Sequence, residues 1–153
     1  MNATHAAAEL NETLAKLETA LLSPVVSGEL ESWASTAEEA STLLAQRLPA
    51  YLNSVLHPDY AEIAQSDPEL LSKVEKLIAE DQNVVLELDA FRKHINDFAR
   101  RASQIKKDEA QVATDRTKLE QEGLALILRI KRQRATADTW LAEANYRDRG
   151  PVD

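Results

Sequence analysis

Three histidines are the side chains best suited to bind a metal or transfer a proton, and their spacing favours neither. They are His5, His57 and His94, far apart in the sequence. None follows a glutamate by three residues, so the Glu-x-x-His pair of di-iron bundles is missing. Two histidines one helical turn apart, as in helical zinc sites, are missing too. We expect His57 to cap a helix end or lie at the surface, and His94 to lie on a partly exposed helix flank.

Other reactive patterns are also missing. The chain has no cysteine, which excludes thiolate nucleophiles, disulfides and cysteine-ligated zinc. Its three glycines, Gly28, Gly123 and Gly150, are isolated, so no glycine-rich loop can bind a phosphate. We therefore predict no catalytic, cofactor-binding or metal-binding residue and no bound cofactor, and we expect that the protein is not an enzyme.

Asp81 is the polar residue most informative about the interior. It lies between Leu77 and Val84 in an apolar stripe, where an unpaired carboxylate is costly. If the chain turns back near Lys106, the residue opposite Asp81 is near Lys131. The sequence thus predicts a possible buried polar pair between Asp81 and Lys131 or an adjacent arginine. In the alternative, Asp81 is a ligand or proton-transfer group inside the protein.

The basic run from Arg129 to Arg134 has two interpretations. Its cations could contact nucleic-acid phosphates, but acidic residues flank it and no aromatic residue is interleaved. Residues 1–90 hold 4 Lys/Arg and 16 Asp/Glu, a net charge of −12, whereas residues 91–153 hold 14 and 10, a net charge of +4. We expect acidic early helices to pair with basic late helices, and no binding of nucleic acid.

The elements that position these residues are helices. Apolar residues recur every third or fourth position, most regularly from Leu70 to Ile105. We predict an all-α, antiparallel up-down-up-down four-helix bundle, with helices near residues 5–22, 28–57, 67–105 and 108–146. Pro49 predicts a kink, His57-Pro58-Asp59 predicts a stop, and Asp67 with Pro68 predicts a helix start. The domain is expected to span residues 1–146 and a flexible tail residues 147–153.

The boundary between the third and fourth predicted helices has two interpretations. The apolar spacing continues through residues 100–112 without Gly or Pro, so a single helix from residue 67 to 145 is one interpretation, and it would need a coiled-coil partner. The favoured interpretation is a hairpin near Lys106. Lys106 and Lys107 suit a helix C-terminus, and Asp108 with Gln111 forms a capping-box pattern for a new helix.

Composition limits the protein class. The chain has 153 residues with a net charge of −8 and 44% hydrophobic residues, as expected for one globular domain. No run approaches the roughly 18–20 apolar residues that span a bilayer, and the first nine residues lack the pattern of a signal peptide. We therefore expect a soluble, cytoplasmic, acidic protein without membrane contact.

The third predicted helix carries a family resemblance. Its start, Asp67-Pro68-Glu69-Leu70-Leu71, and the residues Val74 and 77–80 that follow, resemble the middle of the hemerythrin-like cation-binding bundles. The resemblance covers roughly residues 44–91. It implies four antiparallel helices around a non-haem di-iron centre held by His and Asp/Glu. The family's Glu-His pair falls on Glu80-Asp81, and its second-helix histidine and glutamate fall near Arg47 and Tyr51, so the metal ligands are missing here.

These observations favour a non-enzymatic helical structural or interaction module. The alternative is a hemerythrin-like metal-binding bundle that handles oxygen or iron. A protein partner or a homodimer is possible, because Trp33, Trp140 and the apolar run from Leu124 to Leu128 exceed what one narrow helix seam requires.

Overall fold

The computed structural model of the chain describes residues 3–25, 28–104 and 108–149, with side chains described up to residue 146. The helices are α1 (Ala3–Leu22), α2 (Leu30–Tyr51), α3 (His57–Ser66), α4 (Leu71–Ala102) and α5 (Glu109–Arg149). A π turn, Leu52–Leu56, joins α2 directly to α3, and a 3-10 turn, Pro68–Leu70, precedes α4.

The helices pack as a four-helix bundle. Helices α2 and α3 form one continuous rod, and this rod, α1, α4 and α5 are the four members. Helix α1 packs against α2 and α5, and α4 packs against the same two neighbours. The predicted all-α four-helix architecture is therefore confirmed. Of the predicted tail, residues 147–149 belong to α5, and residues 150–153 lie outside the described residues.

The hairpin interpretation of the second half is confirmed, and the single long helix is wrong. Helix α4 ends at Ala102 and α5 begins at Glu109. Arg101 Nη1 lies 2.5 Å from Asp115 Oδ2, and farther from the turn Arg129 Nη1 lies 2.7 Å from Glu87 Oε1, so the two helices are antiparallel. The predicted turn residue, Lys106, lies outside the described residues.

The predicted N-caps explain where two helices begin. Asp108 Oδ1 accepts hydrogen bonds from the backbone N–H groups of Ala110 and Gln111, at 3.1 and 3.2 Å. The Gln111 side chain donates to Asp115 at 3.0 Å. Asp67 Oδ1 accepts from the Glu69 N–H at 3.2 Å. A carboxylate at each position satisfies amides that have no partner within the helix.

The predicted stop at His57-Pro58-Asp59 is wrong, because helical structure continues to Ser66. Pro58 lies in the first turn of α3, where a helix needs no N–H donor. The π turn before it makes this restart possible: the His57 N–H bonds to the Leu52 carbonyl, five residues back. The second predicted helix is therefore longer than expected.

The apolar stripes fill the core as predicted. Four of the five leucines of α1 are fully buried, and so is nearly every position of the α4 stripe, Asp81 included; Leu22, at the end of α1, is exposed. Trp33 is 5% exposed; it donates to the Leu21 carbonyl at 3.3 Å and meets the Phe98 ring edge-on at 5.6 Å. Trp33 is thus a core residue rather than spare apolar surface. No helix among the described residues is long and apolar enough to cross a membrane.

Some basic side chains of the second half of the chain pair with acidic side chains elsewhere in the bundle. Lys131 Nζ lies 3.6 Å from Glu18 Oε2 of α1, and Arg129 pairs with Glu87 of α4. Arg134 donates to Asn11 of α1. The basic run on α5 therefore faces acidic and polar groups of earlier helices, as we expected.

Candidate functional site

The π turn at Leu52–Leu56 is the main irregularity in the helical framework. It follows Pro49, which lies inside α2 and cannot donate a backbone hydrogen bond. The Leu52 N–H reaches the carbonyls of Leu48 and Pro49, and the His57 N–H closes the wider turn on Leu52. Single π turns inside α-helices occur frequently at functional sites. This one sets the position of His57 on the side facing α4.

His57 and Gln133 hold the buried carboxylate of Asp81. Asp81 is 1% exposed. Its Oδ2 lies 3.2 Å from His57 Nε2, and its Oδ1 accepts a hydrogen bond from Gln133 Nε2, also at 3.2 Å. Gln133 is 3.4 Å from Glu80 Oε2 as well. Three members of the bundle therefore meet at one carboxylate: the α2–α3 rod, α4 and α5.

Burial and hydrogen bonding act on the Asp81 carboxyl in opposite directions. Removal from water raises its pKa, while the hydrogen bonds from Gln133 and His57 lower it. Burial is the larger effect, so the pKa lies above its usual value of 3.8. The two donors satisfy both carboxylate oxygens, as a buried ionised group requires.

The Asp81–Lys131 pair predicted from the sequence is wrong. Asp81 is buried as expected, but its partners are His57 and Gln133, and Lys131 bonds to Glu18 at the surface. The hairpin register places Gln133 rather than Lys131 opposite Asp81. Lys131 therefore points towards α1, where its ammonium group stays half exposed.

Aromatic rings enclose the inner side of the His57–Asp81 pair. The Tyr60 ring stacks on the His57 ring at 5.8 Å, and Trp140 packs edge-on against Tyr60 at 6.1 Å. Tyr60 is fully buried, and its hydroxyl has no hydrogen-bond partner among the described residues. Burial, and secondarily the negative charge of Asp81, raises the pKa of Tyr60, so it stays a neutral phenol.

The outer side of the pair opens into a groove with a volume of about 450 Å³. Pro49 and Leu52 form one wall, and Val85 and Leu86 of α4 form the other; the polar lining residues are Asn53, His57 and Gln82. The His57 side chain is 21% exposed, and Leu86 at the rim is 64% exposed. Asp81 faces instead a void of about 10 Å³, close to the room that one water molecule needs.

The di-iron centre implied by the hemerythrin-like resemblance does not fit these residues. Arg47 lies at one ligand position and donates to Thr13 Oγ1 at 2.7 Å. Tyr51 lies at another, with the Arg134 guanidinium 5.0 Å from its ring centre. Cations therefore occupy the region where a di-iron site needs anionic donors. Among the described residues, no group of three or more histidine, cysteine or acidic side chains is arranged so that it could hold a metal ion.

The other two histidines lie away from this site. His94 Nδ1 is 2.8 Å from Glu122 Oε1, and both side chains are partly exposed, as predicted for a flank residue. His5 is exposed and pairs with Glu9 at 3.2 Å. The structure therefore does not bring the three histidines together.

Sequence reasoning missed His57 as the partner of Asp81, because it assigned His57 to a helix end. A signal was nevertheless present. His57 and Asp81 lie at comparable distances on the two sides of the turn at Asp67. Counting residues back along α3 and forward along α4 from that turn brings His57 and Asp81 to the same level of the bundle.

The arrangement can supply a hydrogen-bond acceptor inside an apolar groove. The Asp81 carboxylate orients the His57 ring, as carboxylates do for histidines in metal and catalytic sites. Among the described residues that line the groove, none carries a hydroxyl, thiol or amine nucleophile. Comparisons of the chain with protein-family models, with curated proteins and with solved structures found no match.

Proposed function

We propose that this chain is a non-enzymatic interaction module that binds an amphipathic helix of a protein partner along the groove between the π turn and α4. The observation that carries the proposal is the groove itself. It combines apolar walls, a rim leucine that is 64% exposed and a volume of about 450 Å³. Helix-in-groove recognition uses apolar side chains as anchors in such a site.

Surface charge favours a basic partner. The exposed charged side chains of α2 and α3 are all acidic: Glu31, Glu39, Asp59 and Glu62. The lone basic residue of these two helices, Arg47, is only partly exposed and donates towards α1, to Thr13 and the Glu9 carbonyl. Glu39 faces α1 on another side of α2, so the negative charge that a helix lying along α3 would meet comes from Asp59 and Glu62. Complementary charge of this kind guides encounter and selects among partners.

A designed peptide tests the proposal directly. The peptide is a labelled amphipathic helix of about 20 residues with leucines on one face and lysines on the other, and binding is followed by fluorescence anisotropy. Leu86→Gln should weaken binding about tenfold, since it removes a buried apolar contact. Leu128→Gln is the matched control, because Leu128 is also a half-exposed helix leucine but lies on α5, outside the groove.

Two outcomes would overturn the proposal. One is no measurable binding of the lysine peptide to the unmodified protein. The other is equal weakening by Leu86→Gln and Leu128→Gln, which would mean that the peptide coats any apolar surface. A version of the peptide with glutamates in place of lysines should bind more weakly, and equal affinity would contradict the assignment of a basic partner.

A further inference from the structure

The His57 ring determines which hydrogen bond the groove can offer to an occupant. With Asp81 present as a carboxylate, both of its oxygens are acceptors, and Gln133 already donates to one. His57 must therefore donate its Nε2–H to the other oxygen. In neutral histidine this leaves Nδ1 without a proton, so that nitrogen is a hydrogen-bond acceptor.

Nδ1 is not enclosed by the protein. It has no hydrogen-bond partner among the described residues, and it is not one of the enclosed unpartnered atoms, which are Tyr60 Oη and Arg134 Nε. His57 itself lines the groove. An occupant that covers this nitrogen without donating a hydrogen bond would strand a polar atom away from water.

The groove thus selects for a side chain that is large, apolar and equipped with one donor. Its volume of about 450 Å³ exceeds that of any single side chain, so an aromatic residue fits. The walls formed by Pro49, Leu52, Val85 and Leu86 offer no counter-charge to a lysine or arginine head group. Tryptophan and tyrosine combine a broad apolar ring with an N–H or O–H donor, and they are enriched among interface anchors.

We infer that the partner helix inserts a tryptophan or tyrosine into the groove and donates its N–H or O–H to Nδ1 of His57. This inference rests on the proposed function and specifies the anchor for the same site. Asp81 acts as the positioning residue, because its bond to Nε2 fixes both the ring orientation and the tautomer.

The test compares peptides that differ at one residue. The lysine-rich helix carries tryptophan, tyrosine or phenylalanine at the central anchor position. Tryptophan and tyrosine should bind about tenfold more tightly than phenylalanine, the ratio that one well-made hydrogen bond gives. His57→Phe should abolish this preference. His94→Phe should leave it intact, since His94 is an exposed histidine bonded to Glu122 outside the groove.

A second measurement covers the case in which His57→Phe does not fold. In the unmodified protein labelled with ¹⁵N-histidine, the Nδ1 resonance of His57 should shift on addition of the tryptophan peptide and stay in place with the phenylalanine peptide. Equal affinity of the tryptophan, tyrosine and phenylalanine peptides, with Leu86→Gln still weakening all three, would overturn the anchor assignment and leave the proposed function standing. Failure of all three peptides to bind would overturn the proposed function itself.

Discussion

Replacement of Asp81 by alanine tests whether the buried polar group is held by the contacts described above. The change leaves two donors without their acceptor, His57 Nε2 and Gln133 Nε2. A fully stranded buried donor costs about 1–3 kcal/mol. Both donors have partial alternatives, since His57 is 21% exposed and Gln133 lies 3.4 Å from Glu80. We therefore take about 1 kcal/mol for each.

Relief of the buried charge works in the opposite direction. Removing a carboxylate whose pKa is raised by burial recovers part of its desolvation cost. The lost side chain also enlarges the void beside Gln133 and Arg134, which is unfavourable. The expected net loss is about 1–2 kcal/mol, which lowers the melting temperature by about 2–8 °C in a chain of this length. Urea denaturation monitored by circular dichroism measures it, and an alanine variant as stable as the parent would refute the pairing.

The pH dependence of the same site has a defined sign. Because burial raises the pKa of Asp81 in the folded state, the fold binds this proton more tightly than the unfolded chain does. The stabilising contribution of the protonated form is complete below pH 3.8, the usual pKa, and is lost as the pH rises through the folded-state pKa. Asp81→Asn carries no such proton. The free energy of unfolding of the Asn variant, relative to that of the parent, should therefore increase as the pH rises from 3.8 to the folded-state pKa of Asp81. If this difference in stability stays constant or falls, the hydrogen bonds to Asp81 outweigh its burial.

Further variants test packing, an unpartnered hydroxyl and metal content. Gly123→Ala gains about 1 kcal/mol of helix propensity, but the added Cβ would lie 2.5 Å from Leu21 Cδ1 and 2.9 Å from Phe91 Cζ. Because overpacking costs about 1–3 kcal/mol, we expect urea denaturation to show a net loss of stability. A stabilised variant would contradict the close approach of these side chains. Tyr60→Phe removes a buried hydroxyl that has no partner among the described residues and should be neutral or stabilising by up to about 1 kcal/mol; a clear loss in thermal denaturation would reveal a hydrogen bond. Elemental analysis after dialysis should find no stoichiometric iron, manganese or zinc, and retained metal would support the metal-binding alternative instead.

The sequence was sufficient for the helices and for the burial of Asp81, because both follow from periodicity. The α4 stripe from Val74 to Ala102 keeps its three- and four-residue spacing throughout, and Asp81 could not leave the core without breaking it. Gly123 gave a weaker signal. In the sequence it is identified only as an isolated glycine, yet its missing side chain lets α5 approach Leu21 and Phe91 closely.

The partner of Asp81 could not be obtained in the same way, since it depends on register rather than on periodicity. A shift of two residues along α5 replaces Lys131 by Gln133. Pro58 led to the wrong prediction for His57, the other partner of Asp81. In an isolated stretch His57-Pro58 predicts a stop, but a preceding π turn lets Pro58 occupy the first turn of a new helix. Local sequence rules do not anticipate that turn, so the groove could not be predicted, and His57 could be found only by counting residues from the turn at Asp67.

The features that destabilise this fold are concentrated at one level of the bundle. Pro49 removes a helical hydrogen bond, Asp81 is desolvated, and the Tyr60 hydroxyl and Arg134 Nε are enclosed without partners among the described residues. Apolar residues at the Asp81 and Gln133 positions would pack without these penalties. What the polar residues add is a fixed orientation for His57, which lines the groove. An interior that served packing alone would gain nothing from orienting a half-buried ring. The proposed binding site lies where the polar interior and the apolar groove meet at that ring.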